Sequence, residues 1–507
     1  MGRRGPTLAI WLAVMGVLLS GGQALAFDRY FVGARGQAMG GALTAAAADV
    51  DAQYYNPAVF GLFGQRDGRD RRGQSALGRK DFGLGADATA GYRFDGNLSE
   101  FTDRLDDVNL DALADSTAIT TNGLRDLVQF ANDLAGVDNP GNGVTFDATA
   151  AAAGRLGTLG IGVRGYAQAS GLVAELDTTN LGFSQTAAEA VGFINQLEAP
   201  NEQLDVLSPA QRDRLVAAAV NAGVAENEAL AAVARLDDAA READLAAGNL
   251  DETVDLLAST LENSGGDTTL DDNATEIALQ GFSLVEVPIS YGYAINPHLA
   301  VGGNVKLMRG RVYGTRMLVF DFDSEDIAED FREDYEQSTA IGLDLGLLAR
   351  YGRLRFGLMG RNLNQPSFDG FTQTLTNQAG LTRQVRFASV TLDRQFSAGF
   401  AFTPFDSLTV AADLDLTAQA TTLPGAETRY IAAGAEWDVR HILALRAGLH
   451  HNLAQRDVAP VLTAGFGLNI WLLRLDLAGA ISTGSTTIDD GEIPEQARLA
   501  ASLTVDF

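Results

Sequence analysis

The residues of this chain best suited to chemistry are four histidines and one dense run of acids. His450 and His451 are adjacent. In an extended strand they point to opposite faces, so they cannot hold one metal ion together. A hydrolase would need Ser407 or Ser482 beside His450, and a third group to orient the imidazole. Neither serine stands in a Gly-x-Ser-x-Gly turn, and the sequence has no His-Glu-x-x-His and no phosphate-binding glycine loop. His298 and His441 read as solvated turn residues. The acidic run from Asp321 to Glu336 raises calcium. An EF-hand loop starting at Asp321 needs Gly at its sixth place and Glu at its twelfth. Those places hold Asp326 and Arg332, so the run reads as a solvated acidic loop, with looser divalent binding as the alternative. The chain has no cysteine, which excludes disulfides, thiolate metal sites, catalytic thiols and a lipoprotein anchor. The expectation is a protein that is not an enzyme, with no catalytic residue, no metal and no cofactor.

The remaining composition narrows the class. Hydrophobic residues make up 46% of 507, too many for a disordered acidic chain. The net charge is −28 and the isoelectric point about 4.4, which argues against a nucleic-acid partner. At the start, Arg3 and Arg4 precede an apolar run from Leu8 to Leu19, and Ala24-Leu25-Ala26 offers a cleavage site. Residues 1–26 are therefore expected to be a signal peptide. Beyond them no run of 18 uncharged apolar residues predicts a transmembrane helix.

Period-2 alternation dominates from residue 81 onward. Leu408, Val410, Ala412, Leu414 and Leu416 alternate with Thr409, Ala411, Asp413, Asp415 and Thr417. Similar patterns predict strands at 81–94, 143–153, 156–170, 281–294, 298–312, 338–350, 352–363, 394–403, 407–418, 428–438, 442–452, 458–469, 472–483 and 496–507. These strands are longer than the usual five or six residues, and glycine recurs inside them. Their polar face carries both signs of charge: Lys306, Asp344, Arg353, Arg355, Asp413, Asp415, Arg446, Arg474 and Asp476. The connections alternate long and short, as in an outer-membrane barrel. The predicted fold is all-β: an antiparallel outer-membrane β-barrel of about 14 strands, with the charges lining its lumen. Leu503, Val505 and Phe507 end the last strand in the pattern of a barrel-insertion signal.

Two segments, 98–135 and 184–263, look helical. Ser208-Pro209-Ala210-Gln211 is a helix start in the second. Both fall in long connections and are expected as helical lobes outside the barrel; a separate periplasmic domain is the alternative for 184–263. The acid sits in three long connections, at about −17 for residues 171–280, −8 for 95–142 and −7 for 313–337. The barrel itself is therefore nearly neutral.

Phe31 to Phe63 combines Met39-Gly40-Gly41-Ala42, an alanine-rich run, and Tyr54-Tyr55-Asn56-Pro57-Ala58. Glycines permit tight turns, small residues permit close packing, and Asn-Pro makes a turn. This piece resembles the plug of the long-chain fatty-acid transporter superfamily of outer-membrane proteins. Within it, the chain resembles most the conjugal-transfer TraF-type family, also through Gly302 to Leu307, Gly360-Arg361-Asn362-Leu363, Ala412 to Thr417 and Arg446 to Leu449. The resemblance implies a plug (hatch) at 27–70 and a barrel from 71 to 507. It implies Met39, Gly40, Gly41, Asn56 and Pro57 as gating positions, and passive admission of a hydrophobic ligand across the bacterial outer membrane. Implied partners are outer-membrane lipid, lipopolysaccharide and the barrel-insertion machinery. The alternative function is a non-transporting barrel that serves conjugation, secretion or assembly through its acidic loops.

Overall fold

The computed structural model describes residues 30–63, 82–96, 120–135, 137, 139–177, 186–198, 206–243, 245, 250–263, 275–318, 334–376, 382–455, 458–470, 472–488 and 491–506. The signal-peptide segment, most of the acidic run after Asp321, residues 64–70 of the expected plug and the terminal Phe507 lie outside them.

Fourteen antiparallel strands close into a barrel. They are β1 Phe82–Asp95, β2 Gly143–Leu156, β3 Leu159–Glu175, β4 Glu276–Asn296, β5 Leu299–Leu318, β6 Tyr335–Tyr351 and β7 Leu354–Arg361. They continue as β8 Gln395–Phe405, β9 Leu408–Asp415, β10 Tyr430–Val439, β11 Leu443–Asn452, β12 Val461–Ile470, β13 Leu473–Ser482 and β14 Gln496–Asp506. The last strand pairs with the first, with Ala86 opposite Leu503 and Thr89 opposite Ala500. Closure leaves no unpaired sheet edge, a requirement for backbone that faces lipid.

The alternation sorts side chains by face. Leu343, Leu345, Leu358, Leu462, Phe466, Leu475 and Leu503 are 41–62% exposed on the outside, while Asp344, Asp413, Arg446 and Asp476 are at most 5% exposed within. So much outward apolar surface fits a lipid-facing wall and not a soluble monomer. Tyr293, Tyr351, Phe405 and Trp437 stand exposed beside the short turns, in the place of an aromatic girdle. The short turns have strict backbone needs. Arg440 and His441 both take positive φ, 55° and 61°, as a tight hairpin whose twist matches its strands requires. Asp438 holds this turn by accepting the His441 backbone N–H at 2.8 Å.

Several boundaries differ from the sequence reading. β3, β4 and β5 run to Glu175, from Glu276 and to Leu318, beyond the expected 170, 281 and 312. They rise past the lipid band, where neither face has to be apolar and alternation fades. β7 stops at Arg361 because Asn362 takes a φ of 52°. Arg353 is not on the lumen face; it stands exposed in the two-residue turn after Gly352, whose φ is 60°.

The helical connections form one lobe: α4 Thr121–Ala135, α5 Ala187–Ile194, α6 Pro209–Asn221, α7 Glu226–Glu242 and α8 Leu250–Glu262. Residues 97–119, part of the first expected helical stretch, lie outside the described residues. Ser208 and Gln211 make a capping box with Pro209 at the first helical position. Thr186 and Glu189 make another, and the hydrogen bonds from Thr186 hold the Glu189 carboxyl below its ordinary range. Leu124, Val128, Val191, Leu236 and Ala240 pack into a core of the lobe's own.

Residues 30–63 run inside the barrel as short helical turns: α1 Gly33–Ala38, α2 Ala52–Tyr55 and α3 Val59–Leu62. Their fit explains the strand glycines. A Cβ on Gly302 would lie 2.4 Å from the Ala58 nitrogen, on Gly357 2.4 Å from the Thr44 carbonyl oxygen, and on Gly434 2.5 Å from the Met39 carbonyl oxygen. Gly292, Gly346 and Gly448 are likewise filled by Pro57, Asn56 and Met39. The glycines are the sockets into which the plug backbone sits. Gly434→Val is expected to destabilise the folded barrel by about 1–3 kcal/mol through overpacking, while Gly192→Ala, in α5 with open space around it, leaves the plug seated. The temperature of the heat-induced gel-mobility shift, with protease cleavage of the plug, measures both.

Candidate functional site

The candidate site is the lumen, which is filled. The plug positions expected from sequence are all buried. Gly40 and Gly41 turn the chain with φ of 63° and 89°. Met39 is fully buried, its backbone against Gly434 and Gly448. The Asn56 amide donates to the carbonyls of Thr44 and Leu347, both at 3.0 Å, and its oxygen accepts the Ala58 N–H at 3.1 Å. One side chain thus closes the Asn-Pro turn, ties two plug segments together and anchors them to β6. Pro57 rests its carbonyl on Gly292 and Gly302.

Two charge networks fix the plug to the wall. In the first, Arg35 of α1 meets Glu436 at 2.7 Å and Glu436 meets Arg446 at 2.6 Å. Arg446 meets Asp476 at 2.6 Å, Arg474 meets Asp476 at 2.8 Å, and Arg474 returns to the plug at Asp49, 2.6 Å away. The chain begins and ends on the plug. It steps from β11 to β13 over Gly467, where a Cβ would lie 2.0 Å from the Asp476 carboxylate. In the second, Glu286 accepts from Arg164 at 2.8 Å, and Lys306 sits 3.0 Å from Asp344. Arg164 also donates to the Gln53 side chain, and Asn304 to the Gln53 carbonyl. Arg361 lies over the Tyr54 ring at 4.4 Å and donates to the Tyr54 carbonyl. The first network balances three cations with three anions, as burial demands; in the second, Arg361 is held by the Tyr54 carbonyl and ring beside two ion-paired cations.

Of the expected lumen charges, Lys306, Asp344, Arg446, Arg474 and Asp476 enter these networks. Asp413 accepts the Thr44 N–H at 2.8 Å, and Asp415 the Tyr430 N–H at 3.2 Å. Arg355 faces inward apart from both networks. Sequence reasoning missed Arg164, Glu286, Arg361 and Glu436 on the wall and Arg35 and Asp49 on the plug. The wall residues stand in the same inward register as those it named, and that register was their available signal.

Above the plug the lumen becomes apolar. The connection from Asn362 to Arg394 folds inward as a hairpin, pairing Phe371–Thr376 with Thr382–Phe387 and Ser367–Phe368 with Val390–Thr391. Phe368 is fully buried against Gly310 and lies 5.2 Å from Phe282. Phe387 seats on Gly314 and stacks on Phe371 at 4.9 Å. These residues share one core with Tyr30, Tyr54, Val390 and Leu392. The connection from Leu416 to Arg429 also turns inward, with Leu423 against Gly143 and Thr422 bonded to Ser170. A cavity of about 10 Å³ remains among Tyr30, Tyr54, Arg164, Glu286, Lys306 and Leu392, room for one water. A recess of about 870 Å³, lined by Ala88, Ala464, Phe466 and Leu499, lies on the outer wall and not in the lumen.

The histidines fall as the alternation requires. His450 points inward and packs on Phe31 and Tyr430, 5.1 and 5.3 Å away between ring centres. His451 points outward. Ser407 is at a short turn at the other end of the barrel, and Ser482 is two strands from His450, across Val461.

Asp476→Asn removes the negative charge shared by Arg446 and Arg474 and leaves one acceptor oxygen for the two. It is expected to cost about 3–5 kcal/mol and to expose residues 30–63 to protease, whereas exposed Asp393→Asn costs less than about 0.5 kcal/mol. Urea midpoints in detergent, with proteolysis, measure the difference.

Three solved structures illustrate the likeness of the fold. They are the Ralstonia pickettii toluene transporter TbuX, at 14% identity over 94% of this chain and 98% of that one with a TM-score of 0.44; the Pseudomonas putida toluene transporter TodX, at 12% over 95% and 99% with 0.44; and a Pseudomonas aeruginosa FadL homologue, at 10% over 96% and 99% with 0.43. No curated protein matches the chain. The family described as "F plasmid transfer operon, TraF, protein" matches residues 53–415. That span runs from the second plug helix through β9, most of the chain, and the chain therefore belongs to this TraF family.

Proposed function

We propose that this protein is a bacterial outer-membrane barrel that passively admits hydrophobic small molecules. The observation that carries the reading is the aromatic layer of Phe282, Phe368, Phe371 and Phe387 inside the barrel, above a charge-paired plug. A channel for ions or sugars has a polar, water-filled lumen; this lumen offers apolar area where a solute would enter from outside. Monoaromatic compounds, the cargo named for the toluene transporters, match such a layer in size and chemistry. Outer-membrane lipid and lipopolysaccharide surround the outward leucine face in this reading, and the insertion machinery reads the last strand.

In this reading the structure is a closed state. Entry requires the hairpin Ser367–Thr391 to lift, which uncovers the aromatic layer. Exit requires the plug to shift, breaking the bridges of Arg35 and Arg474 and vacating the glycine sockets. The wall can remain fixed, because its strand pairing does not depend on the plug. No step consumes energy; the solute follows its concentration gradient.

A second reading has one observation in its favour. The helices α6 to α8 bury Leu215, Val233 and Val254 in a further core of their own, as a recognition module would. In that reading the acidic lobe binds a conjugation, secretion or assembly partner.

Replacing residues 366–393 by a short Gly-Ser linker is expected to raise entry of the fluorescent aromatic probe N-phenylnaphthylamine into cells several-fold over the intact protein. The same entry in the linker variant, in wild type and in cells lacking the gene would overturn the transport reading. Deleting residues 184–263 is expected to leave entry unchanged; loss of a co-purifying partner in that variant supports the second reading for the lobe.

A further inference from the structure

The outward face of the barrel is free of charge except at one place. Among the described residues, the charged side chains at outward strand positions are Arg309 and Arg311, both on β5. Two residues apart in a strand, they share one face and stand about 7 Å apart at Cα. That face is the outer one. Val305 and Leu307 precede them in the same register and are exposed, while Lys306 and Met308 are buried and Gly310 meets Phe368 inside.

Cross-strand register fixes their height. Val287, Leu307 and Ile341 form one outward row, entirely apolar. The next row toward the long connections is Val285, Arg309 and Thr339, and the one beyond it is Ser283, Arg311 and Gln337. Arg309 lies about ten residues along β5 from the short turn before Leu299. A strand of that length tilted by about 40° rises about 25 Å, the height of a lipid-facing band. The two arginines therefore stand where hydrocarbon ends and headgroups begin, on the side of the long connections.

Neither arginine is neutralised by the protein. Arg309 is exposed and makes no hydrogen bond or ion pair with a described residue. Arg311 is oriented by neutral groups alone. Its Nε donates to the Gln337 side-chain oxygen at 2.9 Å and its Nη1 to the Tyr313 hydroxyl at 3.1 Å, and the guanidinium lies 4.8 Å from the centre of the Tyr335 ring. Its Nη2 has no hydrogen-bond partner among the described residues. No acid occupies an outward position of β4, β5 or β6 in these rows. A chain of net charge −28 thus turns two unmatched cations toward the lipid boundary. The complementary group there is an anionic lipid headgroup, and guanidinium forks suit phosphate oxygens.

We propose that Arg309 and Arg311 bind a phosphate of the lipopolysaccharide headgroup in the outer leaflet, beside the exposed hydroxyl of Thr339. The proposal rests on the outer-membrane reading of the wall and not on what passes through the lumen. On the inner face of the same stretch, Gly310 and Gly314 seat Phe368 and Phe387, so the lipid is fixed to the wall behind the aromatic layer.

The test uses the full-length protein in detergent, incubated with lipid A that carries its phosphates or with lipid A stripped of them. Native mass spectrometry counts the lipid retained per barrel after gel filtration. Wild type is expected to retain the phosphorylated form about ten-fold better than the stripped form. Arg309→Gln with Arg311→Gln is expected to abolish that preference. Arg309→Gln alone, which breaks no contact within the protein, is expected to lower it and serves if the double variant does not fold. Arg440→Asn removes a cation at the opposite end of the barrel, at a positive φ that asparagine accepts, and is expected to keep the preference. Equal retention of both lipids by wild type overturns the proposal, as does an unchanged preference in the β5 variants or an equal loss in Arg440→Asn. Displacement of the lipid by an equal concentration of inorganic phosphate would assign the site to a free anion and overturn it as well. The measurement involves no transport, so it stands or fails apart from the entry of hydrophobic solutes.

Discussion

Arg446 of β11 reaches across β12 to Asp476 of β13, over the space that Gly467 leaves empty. Most of the lumen charges obey the constraint visible in that contact. Inside a closed barrel a charge has no bulk water, so it must find an opposite charge, and that charge must be reachable. Here the partners stand on neighbouring strands or on the plug, and missing side chains clear the paths between them. Pairing and space are two sides of one requirement, because each glycine that admits the plug backbone also brings its charges within reach of the wall.

Two layers with different chemistry follow. At plug level, buried ion pairs and hydrogen bonds to the plug backbone, from the Thr463 hydroxyl to the Ala38 carbonyl and from the Thr44 N–H to the Asp413 carboxylate, give the plug one orientation. Under the inward hairpin, rings pack on one another and on glycine, with little directional bonding. Apolar contacts release and re-form with less geometric demand than buried ion pairs, which lose most when a single partner is removed. The hairpin is therefore the easier barrier to move and the plug the harder one.

Much of the fold was legible because lipid imposes a strict code. Leu473, Leu475 and Leu477 had to alternate with Arg474 and Asp476, and the long-short rhythm of connections had to follow the two sides of a membrane. The code lapses where lipid ends. The upper parts of β3, β4 and β5 have water or protein on both faces, so their ends were misplaced, and Arg353 continued an alternation in sequence that the Gly352 turn ends in space. The plug was legible as a piece of small residues and turns, but not its partners: nothing local in Arg35 points to Glu436, 401 residues away. The inward course of the 362–394 connection was also hidden. Its short paired segments look like any surface hairpin until Gly310 and Gly314 are seen to face Phe368 and Phe387.

If the barrel admits solutes as proposed, its filled lumen does so only when the plug leaves its sockets. The chain has no cysteine, so a pair can be introduced without competition. Ala38 of the plug and Ala478 of β13 both border the empty side of Gly465. The most direct measurement is entry of N-phenylnaphthylamine into cells carrying Ala38→Cys with Ala478→Cys, oxidised and then reduced. The account predicts that entry falls to the level of cells lacking the gene when the disulfide is closed and returns on reduction. Equal entry in both states, with the disulfide shown to be formed, would contradict it.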